Sequence, residues 1–131
     1  MFLDASAVVA IIANETQAAS VLAKIDMAET PFHTSPIAQW EATAALARIM
    51  RVPTYKVRPI VDRFHAELRA TCLNITPEMA AIALDAFDRF GKPSGHPAGL
   101  NMGDCFTYAA AKTSAVPILY IGNDFNQTDM P

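Results

Sequence analysis

Apolar and polar positions along this chain fall into blocks that switch between the period of a strand and that of a helix. Met1 to Asp4 is a short apolar entry ending in an acid, which predicts a strand. Ser6 to Ala13 then repeats apolar residues in the manner of a buried helix. Residues 16–28 predict a second helix, with Val21, Leu22 and Ile25 at helical spacing, and Thr30-Pro31 breaks it before a short strand, Phe32 to Thr34. Ser35 is a natural N-cap and Pro36 fits the first helical position, so a third helix runs from there to about Met50. Pro53 starts a fourth helix, to about residue 70, which leads into Thr71 to Ile75, a run compatible with a buried strand. Thr76-Pro77-Glu78 opens a helix that Ile82, Leu84, Phe87 and Phe90 continue as far as Gly91. The Gly/Pro-rich segment Gly91 to Leu100 forces a loop, Asn101 caps a helix to about Ser114, and Val116 to Ile121 is a final buried strand before a polar tail.

Strands alternating with helices predict an α/β fold with a parallel sheet, helices on both faces and right-handed crossovers. In such sheets ligands bind outside the carboxyl ends of the strands, where the topology changes direction. Acids that follow strands therefore carry the functional question. No internal repeat or linker interrupts the pattern, and 131 residues suit one domain over 1–131.

Charge and cysteine usage narrow the classes. Every apolar run is broken well before the roughly 18 residues of a membrane span, and Asp4 stands where an export signal would carry its basic segment, so a cytoplasmic protein without a membrane role is expected. A net charge of −3 argues against a general nucleic-acid coat. Locally the balance differs: Arg48, Arg51, Lys56, Arg58, Arg63 and Arg69 lie in one stretch while acids dominate the ends, which fits either a basic rim beside an acidic pocket or an ordinary solvated helix face. Cys72 and Cys105, far apart and outside any C-x-x-C pair, are expected as two buried reduced thiols.

Four acids stand out by position: Asp4 after the first strand, Glu41 within the third helix, Asp104 at the start of the last helix and Asp124 after the last strand. Asp4 alone is equally readable as an N-cap, and Asp104 as a first-turn acid favoured by the helix dipole behind Asn101. Glu41 is more telling, because its helical neighbours Ile37, Ala44 and Ala45 place the carboxylate on an apolar stripe. A carboxylate there needs a partner, either Arg48 or another arginine, or a metal. If the fold gathers these acids, two carboxylates about 4 Å apart repel by roughly 4 kcal/mol at an effective dielectric of about 20. Some are then protonated at neutral pH or a divalent cation neutralises them. Oxygen donors without clustered His or thiolate suit Mg²⁺ or Mn²⁺, and a water activated by such a cation hydrolyses phosphodiesters without a covalent enzyme intermediate.

Leu3-Asp4-Ala5-Ser6-Ala7 followed by an apolar helix resembles the opening motif of PIN domains. Ser35-Pro36 through Trp40-Glu41-Ala42 is similar to the glutamate helix of VapC-type proteins. Phe90-Gly91-Lys92 through His96-Pro97-Ala98-Gly99-Leu100-Asn101-Met102-Gly103-Asp104-Cys105 resembles a signature of one VapC subfamily, and Gly122-Asn123-Asp124-Phe125 with Thr128-Asp129 resembles its end. The likeness covers nearly the whole chain in order. It implies a Rossmann-like PIN fold, a three-layer sandwich with a central parallel sheet of four to five strands flanked by helices. It also implies Mg²⁺ or Mn²⁺ dependence, RNA as substrate, a VapB-type antitoxin as partner and a homodimer. Carried over by position, Asp4, Glu41 and Asp104 are the family's first three acids and Asp124 the fourth, with Asn123 or Asp129 sharing its role and Ser6 as the hydroxyl beside the site. Arg48 and Lys112 are candidates for phosphate contacts, against solvation as the plain alternative.

Other features carry less. His33, His65 and His96 are scattered and expected in satisfied structural roles, and Trp40, Phe87, Phe90 and Phe106 in core or dimer packing. Gly91-Lys92-Pro93-Ser94 lacks the upstream glycine and the Ser/Thr of a phosphate loop. Two other function classes stay open: a catalytically inactive PIN-like module binding protein or RNA, and a receiver-type signalling domain with an acidic pocket, although the acidic pair expected after the first strand of a receiver is missing.

Overall fold

The computed structural model describes residues 1–130; Pro131, the last residue of the expected domain, lies outside the described residues. Four short strands, β1 (Phe2–Leu3), β2 (His33–Thr34), β3 (Thr71–Cys72) and β4 (Ile118–Leu119), form one sheet in the order β3-β2-β1-β4. Every pairing is parallel, with Phe2 opposite both His33 and Ile118. Six helices connect them: α1 (Ala5–Ile12), α2 (Ala18–Asp26), α3 (Pro36–Met50), α4 (Thr54–Glu67), α5 (Pro77–Phe90) and α6 (Met102–Ser114).

The period-2 geometry of the strands divides the core into two layers. Phe2 and Ile118 point into a cluster with Phe90, Leu100, Tyr108 and Ala109 of the α5/α6 side. Their neighbours Leu3 and Leu119 point the other way, into Val8, Val21, Leu46, Val57 and Val61 of the α1–α4 side. The result is the three-layer α/β sandwich expected of the PIN resemblance, with four strands. Sheet order reverses between β1 and β4, so the carboxyl ends of these neighbours flank the switch point where ligands bind in such sheets.

Helix starts follow local chemistry. Ser35 and Thr76 each cap a helix through a side-chain oxygen and are followed by Pro at the first position. Asn101 and Asp104 form a reciprocal capping box at the start of α6, with bonds of 2.8 and 3.0 Å. The 91–100 segment is a loop that closes on itself: a 3-10 turn at Lys92–Ser94 leads back to a single parallel bridge between Gly91 and Leu100. That closure sinks Ala98 and Leu100 into the core and hands the chain to the α6 cap.

Some expectations are corrected. Residues 71–75 are not a buried strand: β3 is the outer edge of the sheet, and Thr71 and Cys72 are exposed. Of the two free thiols only Cys105 is buried. Trp40 is not core; it lies 71% exposed. His96 accepts a bond from the Ala98 N–H and His65 Nδ1 bonds the Val61 carbonyl, but His33 Nδ1 and His65 Nε2 are buried with no partner within the protein. No described helix is long and apolar enough to cross a membrane.

Candidate active site

Asp4 leaves the carboxyl end of β1 directly into the N-cap of α1 and is 6% exposed. The N-cap reading of this residue is met. Its Oδ2 accepts bonds from the Ser6 N–H at 2.9 Å and the Ser6 hydroxyl at 2.5 Å, while Oδ1 accepts from the Thr107 hydroxyl at 2.9 Å. Ser6 Oγ also accepts from the Ile121 N–H at 3.0 Å, tying the acid to the chain just past β4. One carboxylate is thus held by α1, α6 and the end of β4 together, which fixes its rotamer at the switch point.

Thr107 went unnoticed in sequence. It sits three residues after Asp104 on α6 and is 1% exposed, so an i, i+3 search from the acid would have found it. Thr107→Val keeps the shape but leaves a buried carboxylate oxygen without its donor. It is expected to lower stability by about 1–2 kcal/mol in denaturant titration, and to weaken the site by roughly 10–100-fold through a looser Asp4.

Glu41 projects from the middle of α3 and Asp104 from the first turn of α6, into an open cleft of about 580 Å³ that Asp4, Ser6, Glu15, Trp40 and Arg48 also line. Both acids are half-buried. Burial, then the nearby Asp4 and Asp104 charges, push the Glu41 carboxyl up to about 7. Asp104 is pushed up to about 6, chiefly by burial and further by Asp4 and Asp124, against the opposing Asn101 N–H bond and Lys92. Asp124 is exposed at the start of a 3-10 turn, Phe125–Gln127, with its carboxylate uncommitted to any cap. Asp4, Glu41 and Asp104 therefore share one cleft at this end of the sheet, and the Asp124 charge acts on Asp104 from outside the cleft lining. Arg48 lines the cleft, yet among the described residues no ion pair joins it to Glu41.

The remaining candidates lie apart from or beside this group. Asn123 is exposed on the loop before Asp124, with no side-chain bond among those described. Asp129 accepts from Tyr108 Oη at 2.6 Å and from Arg89 at 2.9 Å, and Lys112 stands 3.6 Å away. These donors hold its carboxyl at about 2, Tyr108 first among them. Lys112 also donates to Tyr108 Oη at 2.7 Å. Asp129 and Lys112 thus form a clamp between the tail and the α5/α6 layer, away from the cleft lining. The cation whose charge acts on Asp104 is Lys92, which the sequence places in the VapC-like signature without marking it as a site residue.

The donor set is all oxygen: carboxylates and hydroxyls, with no His or Cys among the cleft-lining side chains. Among the described residues no three acids close into a ready-made shell. Magnesium does not require one, since it keeps several waters and takes one or two carboxylates directly. Two half-buried acids with raised pKa values beside an ionisable third are what a divalent cation would neutralise. The residues fit Mg²⁺ or Mn²⁺.

Comparison with known proteins identifies the family and the fold. The family model for the PIN domain matches residues 1–130. A VapC ribonuclease of Rhizobium meliloti is 40% identical, with 98% of each chain covered. Ribonuclease VapC36 of Mycobacterium tuberculosis is 38% identical over 99% of this chain and 91% of its own. Among solved structures, VapC20 of Mycobacterium tuberculosis, a Sarcin-Ricin loop cleaving toxin, superposes with a TM-score of 0.75 at 14% identity, covering 99% of this chain and 95% of that one, and so shares the fold. The chain belongs to the PIN-domain family and, within it, to the VapC ribonucleases.

Proposed function

We propose that this chain is a Mg²⁺- or Mn²⁺-dependent endoribonuclease, the toxin of a VapBC-type toxin–antitoxin pair, which hydrolyses RNA phosphodiester bonds. The observation that carries the proposal is the convergence of Asp4, Glu41 and Asp104 on one cleft, where burial and mutual repulsion hold two of them partly protonated near neutrality. Asp4, Asp104 and Asp124 would hold the cation, directly or through water, with Glu41 completing the set. When bound, such a cation stabilises charge on the phosphate and lowers the pKa of water. Ser6 and Thr107 keep the Asp4 carboxylate in a single orientation. Glu41 would either complete the ligand shell or orient the attacking water. The products carry a 5′-phosphate and a 3′-hydroxyl.

Lys92 and Arg48 approach the acids and, among the described residues, neither is spent on an ion pair. They suit the phosphates flanking the scissile bond. Removing either as Ala should raise KM several-fold while leaving kcat nearly intact. It should also make the slope of log KM against log salt shallower by about 0.7, the share of one phosphate contact on a single strand. A kcat loss with unchanged salt slope would remove them from the RNA contact.

Family membership supports a cognate VapB-type antitoxin and a homodimer as partners, in the cytoplasm. The exposed side chains Trp40, Ile49, Met50 and Tyr55 along α3 and α4 suit such protein contacts.

The test is cleavage of a mixed RNA pool by the purified, antitoxin-free chain with Mg²⁺ or Mn²⁺, against EDTA and Asp104→Ala controls. Cleavage that both controls abolish, with 5′-phosphate ends, is the expected result. Absence of cleavage by folded protein at saturating metal would favour the inactive RNA- or protein-binding module, and cleavage surviving EDTA would remove the metal.

A further inference from the structure

Glu41 reaches the other acids from a different helix, and something must let α3 and α6 approach at that point. Gly103 stands at the second position of α6, between the capping Asn101 and Asp104, and is buried. A Cβ added there would meet Glu41 Oε1, Cδ and Oε2 as its three nearest atoms, all well inside the 3.0 Å that real Cβ contacts respect. The Glu41 carboxylate therefore lies against the bare Cα of Gly103. The backbone of Gly103 has no positive φ, so the conformation alone does not call for glycine. Gly95 and Gly122, which do have positive φ, meet nothing within 4 Å. Gly91 also lacks a positive φ, but a Cβ there would meet Phe87 of the helix it ends, backbone first, whereas at Gly103 all three nearest atoms belong to a carboxylate from another helix.

We infer that Gly103 is a positioning residue whose missing side chain makes the slot that holds the Glu41 carboxylate beside Asp104 and Asp4. The inference rests on the metal-dependent reading of the site and adds a residue outside the acid set. The clash falls on the far end of a flexible side chain, so Gly103→Ala folds by swinging Glu41 aside. Alanine at that position also favours the helix. The substitution thus removes an acid from the centre without touching one.

A double-mutant cycle between Gly103→Ala and Glu41→Ala tests this with two readouts. The first is Mn²⁺ affinity by calorimetry. Gly103→Ala is expected to weaken binding about tenfold in the wild-type background and to leave it unchanged once Glu41 is already Ala. The second is the thermal midpoint of metal-free protein, which no cation affects. In the Glu41→Ala background the slot is vacated and Gly103→Ala raises the midpoint by a few degrees, the gain of a helical Ala over Gly; in the wild-type background that gain is reduced or lost.

Additive effects of the two substitutions on both readouts would overturn the inference. So would Gly103→Ala retaining wild-type Mn²⁺ affinity while Glu41→Ala loses it, a result that leaves the acid centre standing and removes only the slot. If Glu41→Ala itself kept full affinity, the assignment of Glu41 to the metal site would fall first.

Discussion

Asp4→Asn should abolish metal-dependent RNA cleavage and at the same time leave the metal-free protein as stable as the wild type or more so. The first half follows from the place of Asp4 at the switch point, held by three donors and facing Glu41 and Asp104. Loss of a charged ligand exceeds the roughly 10–100-fold cost of losing an outer partner, so activity is expected to fall by more than about 100-fold. The second half follows from the same charges. Asp4 raises the pKa of both Glu41 and Asp104, which means that it repels them. Asparagine keeps one oxygen for the two Ser6 donors, and the Thr107 hydroxyl can turn to accept from the new amide. Repulsion goes and hydrogen bonding stays. Thermal unfolding in EDTA beside the cleavage assay checks both halves: an inactive variant that is also strongly destabilised would show that Asp4 matters as a cap rather than as a ligand.

Glu41→Gln should separate from the wild type only at high pH. Below 4.5, the ordinary Glu value, the carboxyl is protonated in both folded and unfolded chains, and glutamine is a close neutral match. Between 4.5 and about 7 the folded wild type keeps a proton that the unfolded chain has released, so its stability falls as pH rises, and above about 7 the loss is complete. Glutamine has no such loss. Because Glu41 is only half-buried, the full linkage must be discounted for solvent screening, which leaves roughly 1–2 kcal/mol in favour of Gln at a pH of about 8. That corresponds to roughly 4–8 °C in the midpoint for a chain of this size. Saturating Mn²⁺ should then reverse the order, because the wild type binds it more tightly. Identical pH curves for the two metal-free proteins would mean that Glu41 is an ordinary solvated acid.

Much of this was legible in the chain because local chemistry and tertiary demand agree. Ser35-Pro36 and Thr76-Pro77 announce their helices by capping, and Asn101 announces the third by its box with Asp104. The apolar stripe around Glu41 flagged a carboxylate that needs company, and the fold supplies it. Sheet position was not legible. A run such as residues 71–75 reads the same whether its strand is central or at an edge, and only pairing order exposes Thr71 and Cys72. Trp40, read as core or dimer packing, lies outside the core, and this was hidden for a related reason, since an aromatic on a helix does not say whether its face meets the core or the solvent. Long-range partners were also hidden. Nothing near Asp4 in sequence points to Thr107 as its donor, and nothing near Asp129, read as sharing the role of Asp124, points to Tyr108 and Arg89 as the groups that bond it. Gly103 illustrates the limit most clearly: a glycine without a turn to make has no local signature, and its use appears only when another helix lies against it.

The central claim is that Asp4, Glu41, Asp104 and Asp124 together hold a divalent cation, and titration of metal-free protein with Mn²⁺ in a calorimeter at neutral pH tests it most directly. Saturable binding to the folded chain, lost in Asp4→Asn and accompanied by release of protons from the raised carboxyls, is the predicted result. No saturable heat from folded wild type, or the same isotherm from wild type and Asp4→Asn, would contradict it.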